Sequence, residues 1–148
     1  MALIDDLGGG PVGVDTSIFI YFIEEDRRFL PMVEPLFAAA DAGRLQLVVS
    51  ALTLLEVLVV PFRAGNAALA ERYESILTQS RGVLMADLTR DHMRLAAQLR
   101  AVTGVTTPDA VQLATCVVAG CSAFVTNDRR LPALRELKVI QLAAYSAG

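Results

Sequence analysis

The sequence predicts an α/β fold in which a five-stranded parallel sheet is flanked by helices on both faces. Five short apolar runs alternate with helical stretches along the chain, and strands that alternate with helices are typical of a parallel sheet. The length of 148 residues is near the commonest size of one domain and suffices to bury a core without a disulfide or structural metal. We therefore expect one domain over residues 12–148, preceded by a lead of residues 1–11.

The first half of the chain contains two strand and helix units. After a glycine-rich lead, Val12–Val14 is a short buried strand that ends at Asp15, and an apolar helix follows over residues 17–25. Pro31 opens a helix that runs to residue 42, Gly43 closes it, and residues 45–49 form a β-branched strand. The next two helices run to residues 60 and 79, and their predicted N-caps are Ser50 and Asn66.

The second half continues the alternation. Val83–Ala86 is strand-like, and residues 89–102 have helical periodicity with a predicted stripe of Met93, Ala96, Ala97 and Leu99. A strong helix start follows, with Thr107 as the cap, Pro108 at the first position and Asp109 at the second, and Gly120 ends this helix. The remaining predicted elements are the strand Ala123–Thr126, a short helical turn over residues 129–134 and a strand over residues 137–141.

The composition indicates a protein inside the cell that has a partner. A hydrophobic fraction of 54% and a mean hydropathy of +0.49 are high, so we expect a partner or a second copy to cover apolar surface. The longest apolar tract, residues 45–62, is interrupted by Gln46, Ser50, Thr53, Glu56 and Pro61, which excludes a membrane span. The N-terminus lacks the basic start and apolar run of a signal peptide, so we expect a cytoplasmic protein.

The cysteines, the histidine and the net charge exclude several kinds of site. Cys116 and Cys121 lie among aliphatic residues, as expected of reduced thiols in a core. His92 is the only histidine, which excludes a histidine-based zinc cluster, and we expect it on a helix surface. A net charge of −3 gives no overall attraction for nucleic acid, so contacts with RNA require local arginines or a bound metal.

Four carboxylates are predicted to share one edge of the sheet. Ligands of open α/β sheets bind beyond the carboxyl ends of the strands, where the strand order reverses. Asp15 and Asp128 follow strands, and Glu56 and Asp109 lie near the starts of helices that border the same edge. The ordinary alternatives for the three aspartates are an N-cap for Asp15, a helix-dipole partner for Asp109, and a cap or a partner of a neighbouring arginine for Asp128.

Glu56 is the most informative of the four. It is the only charge in residues 51–60, where a helix would be apolar nearly all round. A buried carboxylate costs several kcal/mol unless it is paired or bound to metal. The alternative to a functional role is an ion pair with Arg63, one or two turns along the helix.

The four acidic segments together resemble the PIN domain, specifically the small bacterial VapC-type toxin ribonucleases. The resemblance covers residues 12–142 and depends on four motifs in the family's order: VDTS at 14–17, SALTLLEV at 50–57, TPDAVQLA at 107–114 and FVTNDRRL at 124–131. It implies that Asp15, Glu56, Asp109 and Asp128 are the catalytic and metal-binding acids. It also implies that Thr126, and Ser17 or Thr16, support them by hydrogen bonding, and that the protein is a homodimer. The chain departs from the family by about ten extra residues before the first strand.

These acids predict a divalent-metal site, and the resemblance implies that the site cleaves RNA. Clustered carboxylates repel one another, and Mg²⁺ or Mn²⁺ relieves the repulsion, lowers the pKa of a bound water and neutralises charge on a phosphate. We expect an endoribonuclease that hydrolyses RNA phosphodiesters, with Arg63, Arg129 and Arg130 as candidate RNA contacts together with Arg27 and Arg28. The resemblance adds a VapB-type antitoxin whose C-terminal segment blocks the acidic pocket.

Two other classes of protein fit part of the pattern. A receiver-like signalling domain would use Asp87 as its phosphorylated residue, with Thr126 and Lys138 nearby, but it leaves Glu56 without a purpose. A PIN-like binding module without catalysis would keep the fold, and the intact set of four acids argues against it.

Overall fold

The computed structural model describes residues 2–145 and contains one five-stranded parallel sheet. The strands are β1 (Val12–Val14), β2 (Leu47–Ser50), β3 (Val83–Ala86), β4 (Ala123–Thr126) and β5 (Lys138–Gln141). Their spatial order is β3-β2-β1-β4-β5, and every neighbouring pair is parallel. The predicted fold class is therefore confirmed. Residue 1 and residues 146–148, at the ends of the predicted lead and domain, lie outside the described residues.

Six α-helices connect the strands. They are α1 (Thr16–Ile23), α2 (Leu30–Asp41), α3 (Ala51–Arg63), α4 (Ala67–Gln79), α5 (Arg90–Thr103) and α6 (Thr107–Val118), with 3₁₀ turns at Leu3–Asp6 and Leu142–Tyr145. Both N-caps predicted for α3 and α4 are present, since the side chains of Ser50 and Asn66 accept hydrogen bonds from the amides of Leu52 and Leu69.

The three central strands, β1, β2 and β4, bury both of their faces, and helices lie on each side of the sheet. Val14 and Val125 belong to a core with residues of α1, α2, α3 and α4, whereas Val48 and Phe124 belong to a second core with residues of α5 and α6. Successive residues of a strand point to opposite faces, so each strand contributes to both cores. Gly13 is needed for the second core because a Cβ there would lie 2.0 Å from the sulfur of Cys116 on α6.

The lead packs against the sheet core. Leu3 and Leu7 are buried in the same core as β1. The hydroxyl of Ser122 donates to the Leu7 carbonyl at 2.7 Å and accepts from the Gly10 amide at 3.2 Å, which joins the lead to the start of β4. The extra residues before the first strand thus contribute buried apolar surface to the fold.

The prediction that His92 lies on a helix surface was wrong. Its side chain is 7% exposed, and Nδ1 accepts from the Thr89 amide at 3.1 Å while the Thr89 hydroxyl accepts from the His92 amide at 3.4 Å. Histidine thus takes the position that glutamate or glutamine usually occupies in a capping box. The predicted stripe also shifts, because Met93 and Ala97 are exposed while His92 and Ala96 are buried.

Two further predictions near the acids need correction. Helix α6 begins one residue earlier than predicted, with Thr106 as its cap, so Asp109 is the third helical residue. Residues 129–134 form only a turn at Arg129 and Arg130. A helix there needs a hydrogen bond from residue 132 to the Asp128 carbonyl, but Pro132 has no N–H, and that carbonyl accepts from the Gln141 side chain at 2.9 Å.

The cysteines agree with their predicted state. Cys116 and Cys121 are both free thiols and both buried. Among residues 2–145, none of the helices combines the length and the apolar character that crossing a bilayer requires.

Candidate active site

The strand order reverses between β1 and β4. The chain leaves β1 towards β2 and β3 on one side, then returns to form β4 and β5 on the other side. Asp15 directly follows β1, and its amide donates to the Val125 carbonyl of β4 at 3.0 Å. Asp128 lies two residues past the end of β4. Both acids therefore lie at the carboxyl edge beside the switch point, where open α/β sheets bind ligands.

Asp15 is held by β4 and not by its own helix. It occupies the N-cap position of α1, but its side chain makes no capping hydrogen bond. Instead Oδ2 accepts from the Thr126 hydroxyl at 2.7 Å, and that hydroxyl oxygen also accepts from the Asp128 amide at 3.0 Å. Burial raises the pKa of Asp15, the charges of Glu56 and Asp128 act in the same direction, and the hydrogen bond from Thr126 opposes them.

Glu56 makes hydrogen bonds to uncharged partners. Its Oε1 accepts from the Thr16 hydroxyl at 2.6 Å and from the Gln112 side-chain amide at 3.2 Å. The ion pairs found within residues 2–145 are Arg94 with Asp91 and Arg130 with Asp128. The alternative in which Glu56 pairs with Arg63 is therefore wrong, and Arg63 is exposed.

Asp109 and Asp128 influence each other's charge. Burial raises the pKa of Asp109, and the charges of Asp128 and Asp15 raise it further, against the opposing effects of Thr106 and Arg130. The Arg130 guanidinium holds the pKa of Asp128 below its ordinary value. Three acids from three different elements thus interact electrostatically, and two of them are easier to protonate than a free aspartate.

The Asp128 carboxylate is engaged by one of the predicted RNA-contact residues. Arg130 donates from Nε to Oδ1 and from Nη2 to Oδ2, each at 3.0 Å, and its amide donates to Oδ1 at 2.9 Å. Its guanidinium is well exposed, as is Arg129. The pair that was an ordinary alternative for Asp128 is therefore present.

The family follows from the sequence as a whole. A model of the PIN domain family matches residues 12–137, which include β1 to β4 and all four acids. The chain belongs to the PIN domain family. A comparison with curated proteins gives no match.

Several solved structures share the fold of this PIN domain. A toxin–antitoxin complex from Klebsiella pneumoniae is 20% identical, covers 85% of this chain and 94% of that chain, and has a TM-score of 0.65. VapBC2 from Rickettsia felis, bound to a DNA fragment from its promoter, is 13% identical; the match covers 88% of this chain and 97% of that one, with a TM-score of 0.66. VapC20 from Mycobacterium tuberculosis, described as a sarcin-ricin-loop-cleaving toxin, is 18% identical; the match covers 76% of this chain and 86% of that one, with a TM-score of 0.61.

The donor set of this PIN domain fits a hard divalent ion in its chemistry. Carboxylate and hydroxyl oxygens are the ligands that Mg²⁺ and Mn²⁺ prefer, and a cation would offset the charge that raises the pKa of Asp15 and Asp109. Within residues 2–145, however, no three acidic, histidine or cysteine side chains are grouped as the ligands of one ion. Completing such a group requires side-chain movement, and the contact between Asp128 and Arg130 must change for Asp128 to take part.

The receiver-like alternative fails on position as well as on family. Lys138 is the first residue of β5, so it lies at the amino edge of the sheet, opposite the acids, and its Nζ donates to the Asp6 carbonyl at 3.2 Å. Asp87 is exposed and follows β3, the edge strand, two strands away from β1. The lysine and aspartate that phosphotransfer would need therefore lie far apart in the sheet.

The site contains polar residues that the sequence analysis missed. Thr16, predicted as a supporting hydroxyl, also contacts Thr53 at 2.9 Å and accepts from Gln112 at 3.1 Å. Gln112 is the only side-chain amide in the almost wholly apolar helix α6. A lone polar residue in an apolar helix is the same signal that singled out Glu56. No hydrogen bond of the Ser17 hydroxyl is found within the described part of the chain.

Proposed function

We propose that this PIN domain is a divalent-metal-dependent endoribonuclease that hydrolyses RNA phosphodiester bonds and acts as the toxin of a toxin–antitoxin pair. The observation that carries the proposal is that Asp15 and Asp128 meet at the switch point of the sheet, where the Thr126 hydroxyl donates to Asp15 Oδ2 at 2.7 Å and accepts from the Asp128 amide at 3.0 Å. The raised pKa values of Asp15 and Asp109 agree with it, because such shifts are common at sites that bind cations or move protons. Membership of the PIN family, whose members are nucleases, supports the same reaction.

The four carboxylates share one role in this proposal. Asp15, Asp109, Asp128 and Glu56 would hold Mg²⁺ or Mn²⁺, with Thr126 orienting Asp15. When bound, the ion lowers the pKa of a water molecule and neutralises charge on the phosphate. Water attacks phosphorus in line and the bond from phosphorus to the 3′ oxygen breaks. Arg63, Arg129 and Arg130 lie exposed and supply positive charge for the RNA backbone.

The partners are a VapB-type antitoxin and a second copy of the chain, in the cytoplasm. The solved structures that share this fold include toxin–antitoxin complexes, and one of them is described as a sarcin-ricin-loop-cleaving toxin. Helix α3 carries exposed apolar side chains, with Leu55 61% and Phe62 62% exposed, and such surface favours a protein partner.

A catalytically silent binding module is the second candidate. The ion pair between Arg130 and Asp128 favours it, because that contact occupies one of the four acids. It predicts a folded protein that binds its partner and leaves RNA intact with or without metal.

The proposal is tested by cleavage of defined single-stranded and hairpin RNAs in Mg²⁺ or Mn²⁺. Asp15→Asn and Glu56→Gln should lower kcat/KM by about 10²- to 10³-fold, since several kcal/mol of charge stabilisation is lost. Asp87→Asn, at an exposed acid outside the site, is the matched control and should cleave normally. Cleavage that persists in EDTA, or in both site variants, contradicts the proposal, and no cleavage under any condition supports the silent module.

A further inference from the structure

We infer that Gln112 and Thr53 are positioning residues that fix the Glu56 carboxylate of the site, Gln112 directly and through Thr16, Thr53 through Thr16 alone. The inference rests on the proposed function, because it assigns roles to two residues behind one of the four acids. Neither residue is one of those acids, and neither belongs to the set predicted to support them.

The contacts join three helices at one oxygen atom. Glu56 on α3 accepts through Oε1 from Thr16 on α1 at 2.6 Å and from Gln112 on α6 at 3.2 Å. Thr53, one turn before Glu56 on α3, contacts the Thr16 hydroxyl at 2.9 Å. Thr53 is 0% exposed and Gln112 is 5% exposed, so water does not substitute for these contacts. The position of Glu56 is therefore determined by α1 and α6 as well as by its own helix.

The hydrogen-bonding capacity of these groups determines the direction of every bond. The Thr16 hydroxyl has one proton, which goes to Glu56, so the contact with Thr53 must have Thr53 as the donor. Gln112 has two amide protons, and they go to the Thr16 oxygen at 3.1 Å and to Glu56. The Thr16 oxygen therefore donates once and accepts twice, which uses its full capacity. Each donor of the network therefore donates either to the Glu56 carboxylate itself or to Thr16, which donates to that carboxylate.

The two carboxylate oxygens of Glu56 differ in their hydrogen bonding. Oε1 accepts both hydrogen bonds, and no hydrogen bond of Oε2 is found among residues 2–145. A carboxylate held through one oxygen keeps the other as a ligand of defined direction, which is how polar groups behind a metal site orient its ligands.

The test uses two variants that remove donors and one that keeps them. Gln112→Met and Thr53→Val remove one donor group each at similar size, while Thr53→Ser keeps the hydroxyl. The matched control is Thr115→Val, because Thr115 is 1% exposed on the same helix α6 but donates only to its own helix, to Val111. Circular dichroism and urea unfolding establish that each variant is folded.

Two measurements are made on the full chain: the rise in Tm during titration with Mn²⁺ alone, and kcat and KM with a defined RNA. Gln112→Met and Thr53→Val should raise the Mn²⁺ concentration at the midpoint of the titration, or lower kcat, by about 10- to 100-fold. This is the usual effect of losing a group behind a metal ligand. KM should change much less, Thr53→Ser should restore most of the loss, and Thr115→Val should match the unmodified protein.

The outcomes separate this inference from the proposed function. If the unmodified protein responds to Mn²⁺ and the two donor-removing variants respond equally, with the same kcat, the inference is wrong while the function stands. If metal binds and RNA stays intact, the midpoints alone decide the inference while the proposed function fails. An unmodified protein that shows no response to Mn²⁺ overturns both.

Discussion

The guanidinium of Arg130 faces the carboxylate of Asp128 in a two-point ion pair, with both N–H···O distances at 3.0 Å. The arginine is therefore bound to the same oxygens that a divalent ion would use. Since a carboxylate oxygen that accepts from arginine is less available to a cation, binding of metal and binding of Arg130 compete. An Arg130 released by metal becomes free to contact an RNA phosphate.

Arg130→Gln should therefore strengthen metal binding and weaken RNA binding. We expect the Mn²⁺ midpoint to fall by about two- to fivefold, the scale of an exposed ion pair. RNA affinity, measured with the cleavage-deficient Asp15→Asn background, should decrease because one phosphate contact is lost.

The matched control for this change is Arg94→Gln. Arg94 forms a similar exposed pair with Asp91, at 2.8 Å, on α5. The Arg94→Gln variant should change neither the Mn²⁺ midpoint nor the RNA affinity. Equal Mn²⁺ midpoints for Arg130→Gln and the unmodified protein would show that the ion pair does not compete with metal.

The stability of the metal-free protein should fall as the pH rises through the acidic range. The pKa values of Asp15 and Asp109 are raised in the folded state, so the native protein keeps protons that the unfolded chain has already lost. The free energy of unfolding should decrease from about pH 3.9, the ordinary pKa of aspartate, up to the raised folded pKa values. Asp128 acts in the opposite sense: its lowered pKa gives stability that is lost as the pH falls through the folded value. Urea unfolding at a series of pH values in EDTA measures the sum.

Asp15→Asn and Asp109→Asn should each stabilise the metal-free protein at neutral pH. Each removes a charge that burial and neighbouring acids disfavour. We expect Tm to rise by about 2–4 °C for the more buried Asp15, the shift for roughly 1 kcal/mol in a domain of this size, and by less for Asp109, whose charge is screened by solvent. The same substitutions should reduce the gain in Tm that Mn²⁺ produces. A lower Tm for both variants in EDTA would mean that the carboxylates stabilise the fold rather than strain it.

Gly13→Ala should destabilise the protein by about 1–3 kcal/mol, the usual effect of overpacking a core. The added Cβ would lie 2.0 Å from the Cys116 sulfur, so α6 would have to move away from β1. The double variant with Cys116→Ala should recover part of the loss, because the clashing atom is removed. Gly9→Ala is the control, since a Cβ there meets nothing within 4 Å. Urea unfolding that places Gly13→Ala level with Gly9→Ala would contradict this view of the packing.

The fold and the position of the acids could be predicted because they depend on local patterns. Buried strands and helix caps such as Ser50 and Asn66 are encoded within a few residues, and parallel strands bring their carboxyl ends to one edge. Glu56 could be singled out because a charge in an apolar helix needs a compensating partner.

The partners of these residues could not be predicted in the same way. The contact of Glu56 with Gln112 joins residues 56 positions apart, and the side chain of Arg63, the nearer candidate in sequence, lies exposed. His92 was misplaced because helical periodicity does not show that its side chain accepts a hydrogen bond from the Thr89 amide. The local pattern also allowed Asp128 to pair with either Arg129 or Arg130. The turn at these two arginines brings the amide and the side chain of Arg130 to the Asp128 carboxylate.

The hydrogen bond from Thr126 to Asp15 spans 111 positions of the sequence and has a consequence for synthesis on the ribosome. A growing chain presents Asp15, β2 and β3 long before β4 exists, and domains acquire structure in the order in which their segments emerge. The acidic site therefore assembles only after residues 123–128 have been made, and a chain that stalls before them carries no complete site. A protein that cuts RNA would in this way stay harmless to the ribosome that is making it.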